Sequence, residues 1–482
     1  MKKFKEYLTT KNVFVFIILL AIVLSSIIPI LRFISNKPIL IGDKPYYDAR
    51  ISKNILEKGF SFEDNKISGG RSYIAKPYHL VLASFLKFLP IDFSLTIRPF
   101  VAGLLSTILF YLLLKEFKIN LKKRFFTLLI LLLSPAFIYT FGTSNEFCIS
   151  ISLILFGTYL FLKSDRLYGI SLFIFLTSAF FNMLNLLIVI FLLILLSENN
   201  YSKKKNTNLA IFFISLLSLS YYAFMYYSTN LVFRVIEFNT FRDFISDLGG
   251  IIGLSIFALI LAIIGLIITW KRKQKLKKVY VLIVILFLIG LYSNHVVIYL
   301  NFIFAIFGGI AFARIVKRDW EIKILKNITI LLILCGLLFS AISYTNRMIL
   351  SSPDADIKEA LVWLKYNSEE EALVFSHYTK GSWIEYWSDR PVLTDSLFNY
   401  ENPGQKLEDS NELLYYRDLD KTKELLNKYN IKYIFVDDEM KSGQVWIKKE
   451  GLWYSFRNNE TFKSVYTKNK AQIYEYILIK ND

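Results

Sequence analysis

Eleven apolar runs constrain what this chain can fold into more than any motif it carries. They lie at Val13–Phe33, Ile97–Leu114, Phe125–Phe141, Phe147–Leu162, Tyr168–Phe181, Met183–Leu196, Leu209–Tyr227, Leu248–Trp270, Val279–Tyr292, Val296–Ala313 and Ile328–Tyr344. Many approach or pass the ~18 residues that cross a hydrocarbon core about 30 Å thick. Hydrophobic residues make up 54% of 482 positions and the mean hydropathy is +0.43. The expected fold class is therefore a polytopic α-helical membrane protein of about eleven spans, residues 1–350, followed by a soluble α/β domain, residues 351–482. The first run follows Lys2, Lys3, Lys5 and Lys11 as in a signal peptide. Its length and the lack of a small-residue cleavage site instead predict a retained helix with a cytoplasmic N-terminus.

Charge in the loops sets the predicted orientation. Lys163 and Arg166 precede the two short runs between Tyr168 and Leu196, and Lys203–Lys205 follow them. Basic loops stay in the cytoplasm, so this stretch must cross twice, turning near Asn182 and Asn185. Lys115–Arg124, Lys203–Lys205, Lys271–Lys278 and Arg314–Lys326 then share the cytoplasmic side. The other face receives the long loop 35–78, the turn Gly142–Glu146, the loop Ser228–Asp247 and everything after Thr345. The prediction is a multi-pass plasma-membrane protein with an extracytoplasmic C-terminal domain.

The net charge of +18 does not indicate nucleic acid. Residues 1–350 hold 39 Lys and Arg against 16 Asp and Glu, whereas residues 351–482 hold 18 against 23. The excess belongs to cytoplasmic loops facing anionic membrane lipids. Cys148 and Cys335 both fall in apolar runs, which predicts two small buried hydrophobes and no disulfide framework. In the tail, Asp356–Tyr366 and Lys421–Tyr429 have helical spacing, while Ala372–Phe375, Ile431–Val436 and Gln472–Ile479 read as strands.

Acids at the outer ends of spans carry the chemistry. An acidic group at a membrane edge is costly to desolvate and persists where it binds a cation or reacts. Asp43, in Gly42-Asp43-Lys44-Pro45-Tyr46-Tyr47-Asp48-Ala49-Arg50, and Glu146, in Gly142-Thr143-Ser144-Asn145-Glu146, lie far apart in sequence but on the same predicted side. Their hard oxygens suit Mg²⁺ or Mn²⁺. A divalent ion there would stabilise a departing phosphate or pyrophosphate. Taken alone, each acid is also an ordinary solvated helix-end residue.

These segments resemble the GT-C glycosyltransferases, most closely the catalytic subunits of oligosaccharyltransferases. The first loop, continuing through Glu57-Lys58-Gly59 and Gly69-Gly70-Arg71, is similar to the family's opening outer motif, and the match places its metal-binding Asp on Asp43. The segment ending in Glu146 resembles a Gly-x-x-Asp-Asn-Glu element, with Ser144 where the Asp is expected. Arg234-Val235-Ile236-Glu237 resembles the family's Thr-Ile-x-Glu element and puts its glutamate on Glu237. His295 occupies the place of an Arg that contacts the lipid phosphate. In Ser376–Asp395, Thr379 stands where the family's Trp-Trp-Asp-Tyr-Gly segment has its acceptor-reading Asp, with Trp383 and Arg390 nearby.

The resemblance implies an integral-membrane glycosyltransferase with a polyprenyl-phosphate or polyprenyl-diphosphate sugar donor. Asp43 and Glu237 would be catalytic, Asp43 and Glu146 would hold the metal, and His295 would meet the donor phosphate. Thr379, Trp383 and Arg390 would face a protein, glycan or lipid acceptor. The departure at Ser144 leaves the metal site one carboxylate short, and that at Thr379 argues against an asparagine sequon as the acceptor, because a carboxylate accepts a stronger hydrogen bond than a hydroxyl. A transporter or flippase of polyprenyl-linked lipid, or a noncatalytic scaffold derived from such an enzyme, is the competing expectation. Its transporter form predicts broken helices and charges at mid-membrane.

Overall fold

The computed structural model describes residues 10–197, 201–229, 239–397 and 404–477. The chain divides into two compact units. One comprises Met1–Arg32, Leu95–Tyr222 and Val235–Leu350; the other comprises Phe33–Ser94, Ala223–Arg234 and Ser351–Asp482. One break between the units falls at residue 351, and the first loop groups with the residues that follow it.

The described residues of the first unit are mainly helical, and fewer than eleven of their helices are by themselves long and apolar enough to span. Among the described residues, five are long and apolar enough to cross a membrane: Thr10–Ile34, Ile91–Glu116, Asn206–Thr229, Val296–Lys317 and the helix from Lys323. A sixth span is counted if Leu121–Leu132 and Pro135–Gly142, bent by 66°, are taken together. Pro135 explains that bend, because its ring disfavours helical geometry at Ser134 and its nitrogen cannot donate. Other predicted spans form helices that are too short: 17 residues in Phe147–Lys163, 12 in Tyr168–Ala179, 15 in Met183–Ser197 and 14 in Ile256–Thr269. The run from Leu248 is shortened because Gly249, Gly250 and Gly253 fold into turns and helix begins only at Ile256. These long apolar helices make the chain a multi-pass membrane protein.

Small residues set the packing of this unit. A Cβ at Gly265 would collide with the Phe307 backbone, and one at Gly309 with Thr127. Such positions let helix backbones approach closely where no water-driven force assists. Buried hydroxyls are satisfied locally: Thr140 donates to the Ala136 carbonyl and Thr158 to that of Ile154, both at 2.7 Å. The predicted hairpin turn appears at Asn182, whose side-chain oxygen accepts from Leu184 N at 2.9 Å. Cys148 is buried as expected, but Cys335 is exposed, because it lies on the outward face of a peripheral apolar helix.

The second unit carries two sheets. Strands β1 (Glu63–Asp64) and β2 (Arg71–Ser72) pair antiparallel within the first loop. The larger sheet has β3 (Leu373–Phe375), β4 (Ile431–Asp437), β5 (Phe462–Lys468) and β6 (Ala471–Tyr476), in the order β3-β4-β6-β5. Only β3 and β4 run parallel. Val392 forms parallel bridges with both Val374 and Ile67. The first loop therefore prolongs the C-terminal sheet, with Ser68 N donating to Val392 O and Val392 N to Lys66 O, each at 2.9 Å. The core beneath includes Phe375, Leu393, Ile434, Val436 and Trp446.

Candidate functional site

Asp43 precedes the helix Lys44–Lys58, which has a proline in its first turn. A proline suits that position because the missing N–H would have no helical partner there. Gly42 holds φ at 75°, a left-handed conformation that glycine adopts without a Cβ penalty. Asp43 Oδ1 accepts from Ser382 N at 2.9 Å and Oδ2 from Ser382 Oγ at 3.0 Å, and Ser396 Oγ also donates to Oδ2. Trp383 Nε1 donates to Gly42 O at 2.9 Å. The predicted catalytic acid is thus held by the segment predicted to read the acceptor.

Burial pushes the Asp43 carboxyl up to about 7, against the lowering effect of the serine hydrogen bonds, and the like charge of Asp395 adds to the rise. A carboxylate is a hard-oxygen group of the kind that ligates a divalent cation. Among the described residues, no three His, Cys, Asp or Glu side chains gather as a metal cluster. Any cation would therefore draw further ligands from substrate or water, as Mg²⁺ commonly does.

Next to Asp43 lies a buried ionic network that the sequence reasoning missed. Arg50 pairs with Asp64 through two 2.7 Å hydrogen bonds and reaches Glu385 at 2.8 Å. Arg71 makes two 2.7 Å bonds to Asp395 and a third, 2.9 Å, to Asp64. Burial opposes ionisation of Asp64, yet Arg50 and Arg71 outweigh it and hold that carboxyl well below its usual range. Burial raises Glu385 far above its ordinary value, and Arg50 offsets this only in part. Three acids thus share two guanidiniums, and Glu385 is the one that burial holds well above its usual range. Since Asp395 adjoins Ser396, the Arg71 pair also sets the hydroxyl that meets Asp43. Arg50 and Arg71 stood inside the quoted motifs, but besides the nearby Asp64 their partners Glu385 and Asp395 are more than 300 residues away and no spacing rule links them.

Asp48 lies on the same helix as Arg50, and its Oδ1 is 2.9 Å from Nε2 of His79, whose Nδ1 accepts from Lys76 N at 3.2 Å. That pattern places the ring proton on Nε2 and fastens helix Pro77–Leu86 to helix Lys44–Lys58.

Glu146 belongs to the first unit and Asp43 to the second. Glu146 is buried just before helix Phe147–Lys163, with Asn182 Nδ2 at 3.3 Å from its Oε1. The neighbouring Asn145 caps that helix: its Oδ1 accepts from Phe147 N and Cys148 N at 3.0 and 3.2 Å. Ser144, which replaces the expected acid, accepts from Arg98 Nη2 at 2.6 Å. His295 begins helix Val296–Lys317 and stacks on Phe147 with ring centroids 4.6 Å apart. Glu146 and His295 therefore share one end of the helical unit. Glu237 lies outside the described residues.

Thr379 Oγ1 sits 2.8 Å from His377 Nδ1 and accepts from Gln444 Nε2 at 3.0 Å. Burial, with Lys380 adding to it, lowers His377 to about 4, so the ring is neutral at pH 7. Lys380 is itself buried, paired with Asp437 at 2.8 Å and with Glu439, and lies 4.7 Å above the Trp383 ring. Arg390 is buried and donates to the carbonyls of Lys365 and Ser368 at 2.6 and 2.7 Å.

No family model and no curated protein matches the chain by sequence. Solved structures do match its fold. The apo oligosaccharyltransferase of Archaeoglobus fulgidus superposes with a TM-score of 0.64 at 12% identity, over 99% of this chain and 75% of that one. ArnT of Cupriavidus metallidurans, bound to undecaprenyl phosphate, gives 0.60 at 9% identity over 98% of this chain and 99% of its own. The mycobacterial arabinofuranosyltransferase AftD gives 0.58 at 13% identity, over 94% of this chain and 41% of that one. The chain thus shares its fold with these three structures.

Proposed function

We propose that the chain is an integral-membrane glycosyltransferase that moves a sugar or oligosaccharide from a polyprenyl-phosphate or polyprenyl-diphosphate donor to an acceptor at the extracytoplasmic face. The observation that carries this reading is Asp43, a carboxyl poised near neutrality and locked by Ser382 and Ser396, in a chain with the fold of enzymes of that class. Relatives in that fold are bound to undecaprenyl phosphate in one case and to dolichol-phosphate with an inhibitory peptide in another.

In this reading Asp43 and Glu146 hold Mg²⁺ or Mn²⁺, which would supply charge stabilisation for the departing phosphate. His295 meets the donor phosphate, and Glu237 orients the acceptor. Thr379 and Trp383 face the acceptor, with Arg390 shaping that segment through the carbonyls it holds. Because Thr379 already bonds His377 and Gln444, an Asn-x-Thr peptide is not the preferred acceptor, and a glycan or lipid takes its place. The cytoplasmic basic loops and outer C-terminal unit follow from the same orientation.

The test is turnover of a labelled polyprenyl-linked sugar by membranes carrying the chain. Asp43→Asn keeps shape and removes charge, so activity should fall by about 10²-fold or more. Full activity in that variant defeats the proposal. Donor movement across the bilayer without sugar transfer would establish the flippase reading instead.

A further inference from the structure

Gly42, the residue before Asp43, has both its N–H and its carbonyl engaged, and the two contacts lead to one side chain. Its N–H donates to Ser352 O at 3.2 Å, and its carbonyl accepts from Trp383 Nε1 at 2.9 Å. From Ser352 the path continues through the hydroxyl, which donates to Glu439 Oε1, to Lys380, which donates to Glu439 Oε2. From Trp383 it continues through the face of the indole, with Lys380 Nζ 4.7 Å from the ring centroid. Both arms therefore close on Lys380 in a circuit around Gly42. Every member of it belongs to the second unit.

Lys380 is 1% exposed. Burying an ammonium is costly unless carboxylates meet it, so its place is dictated by Asp437, 2.8 Å away at the end of β4, and by Glu439. An ammonium carries three donors on one nitrogen, and this one lies between the end of β4 and the helix Gly381–Trp387. That helix starts directly after Lys380 and carries Ser382, whose N–H and hydroxyl hold the Asp43 carboxyl. A Cβ at Gly381 would lie 2.6 Å from Asp395 Cβ, so the same segment is pressed against the residues that bring Ser396 to Asp43.

We infer that Lys380 is a positioning residue for the proposed reaction: by closing the circuit around Gly42 and seating Ser382, it aims the Asp43 carboxyl. The inference rests on the role proposed for Asp43. Gly42 makes such a circuit necessary. With φ at 75° and no side chain, its backbone has more freedom than that of any other residue type. The direction in which Asp43 leaves it is therefore set by the contacts on its two sides.

Turnover of a labelled polyprenyl-linked sugar by membranes carrying the full chain is measured across pH for Lys380→Met, Ser352→Ala and the two combined. Lys380→Met should lower kcat by about tenfold or more and leave the donor KM within about twofold, because a misdirected reacting group is felt in turnover rather than in binding. Turnover should rise with pH as Asp43 ionises at about 7. The Ser382 bonds hold that value down, so loosening them should move the inflection up by roughly 0.5–1 in pH. The pH dependence of melting should move with it, a readout that needs no donor. Ser352→Ala should lower kcat by about two- to fivefold and shift the inflection the same way. It should add nothing to Lys380→Met, since both open one circuit.

A Lys380→Met chain that melts earlier but keeps kcat and both pH profiles would reduce the residue to a structural ion pair. Additive losses in the double variant would mean that the two arms are independent. Either result overturns the inference, and Ser352→Ala alone decides it by the same readouts should Lys380→Met fail to fold. Full activity in Asp43→Asn would sink the proposed function and this inference with it, whereas an inactive Asp43→Asn beside a normal Lys380→Met would sink the inference alone.

Discussion

The two units solve the problem of buried polar groups in opposite ways. In the helical unit, many serine and threonine hydroxyls bond a carbonyl one turn back on their own helix, as Thr140 and Thr158 do, while others meet a second helix, as Ser255 meets Ser340. In the other unit, Arg50 reaches Glu385 and Arg71 reaches Asp395, the latter 324 residues away. Hydrocarbon penalises any polar group that waits for a distant partner, so membrane helices satisfy their own. Outside it, water tolerates charges until they meet, and bidentate geometry then fixes which surfaces join. The ionic network is therefore a device for register between the first loop and the tail, and it places Ser382 and Ser396 on Asp43.

That contrast can be broken most forcefully at Arg71. Arg71→Met leaves Asp395 and part of Asp64 buried without a guanidinium, which should cost about 3–5 kcal/mol of local stability. Hydrogen exchange in segments 63–73 and 373–396 should accelerate together, whereas helices of the other unit keep their protection. Exchange confined to residues 63–73 would show that the network does not fasten the loop to the tail.

A second, smaller effect is pH. The folded Asp43 titrates near 7 and the unfolded carboxyl near 3.8, so between those values the folded state holds the extra proton. Stability contributed by this group is complete below about pH 4 and is lost as pH rises toward 7, by at most about 1.4 kcal/mol per pH unit. Millimolar Mn²⁺ should flatten the decline, and Asp43→Asn should abolish it. A melting temperature of this unit that climbs across the same range would contradict the assignment.

Glu385→Gln sharpens the comparison further. A protonated carboxyl and an amide have nearly the same shape and charge, so the change should cost less than about 1.5 kcal/mol, within the worth of one neutral hydrogen bond. A loss as large as that of Arg71→Met would mean Glu385 is ionised. The smallest effect is expected at the rim, where Lys66 pairs with a half-exposed Asp389 at 2.7 Å. Lys66→Ala should change stability by no more than about 1 kcal/mol.

The sequence made some of this legible and hid the rest for physical reasons. Apolar runs located nearly every helix of the first unit, because burial in lipid requires hydrophobicity over the whole length of a helix. They overstated the spans, since composition does not register the turns at Gly249–Gly253 or the break before Pro135. In the tail, β3, β4 and β6 announced themselves through buried alternation. Strand β5, Phe462–Lys468, escaped notice because most of its side chains face outward and are polar. Asp43 was legible from its motif and its place after the first helix. Ser382, Ser396, Glu385 and Asp395 were not, because ordinary residue types acquire roles only through contacts that the chain makes after folding.

The bridge from Ile67 through Val392 to Val374 also imposes an order of events on synthesis. The first loop leaves the ribosome roughly 300 residues before its partners, a delay of about 15–60 s at 5–20 residues per second. Throughout that interval Arg50 and Arg71 share Asp64 but stand without Glu385 and Asp395, and Asp43 stands without the serine hydroxyls that later hold it. A chain interrupted before residue 373 presents an open loop edge and no assembled site, so the acid proposed for chemistry is set in place only after nearly the whole protein has been made.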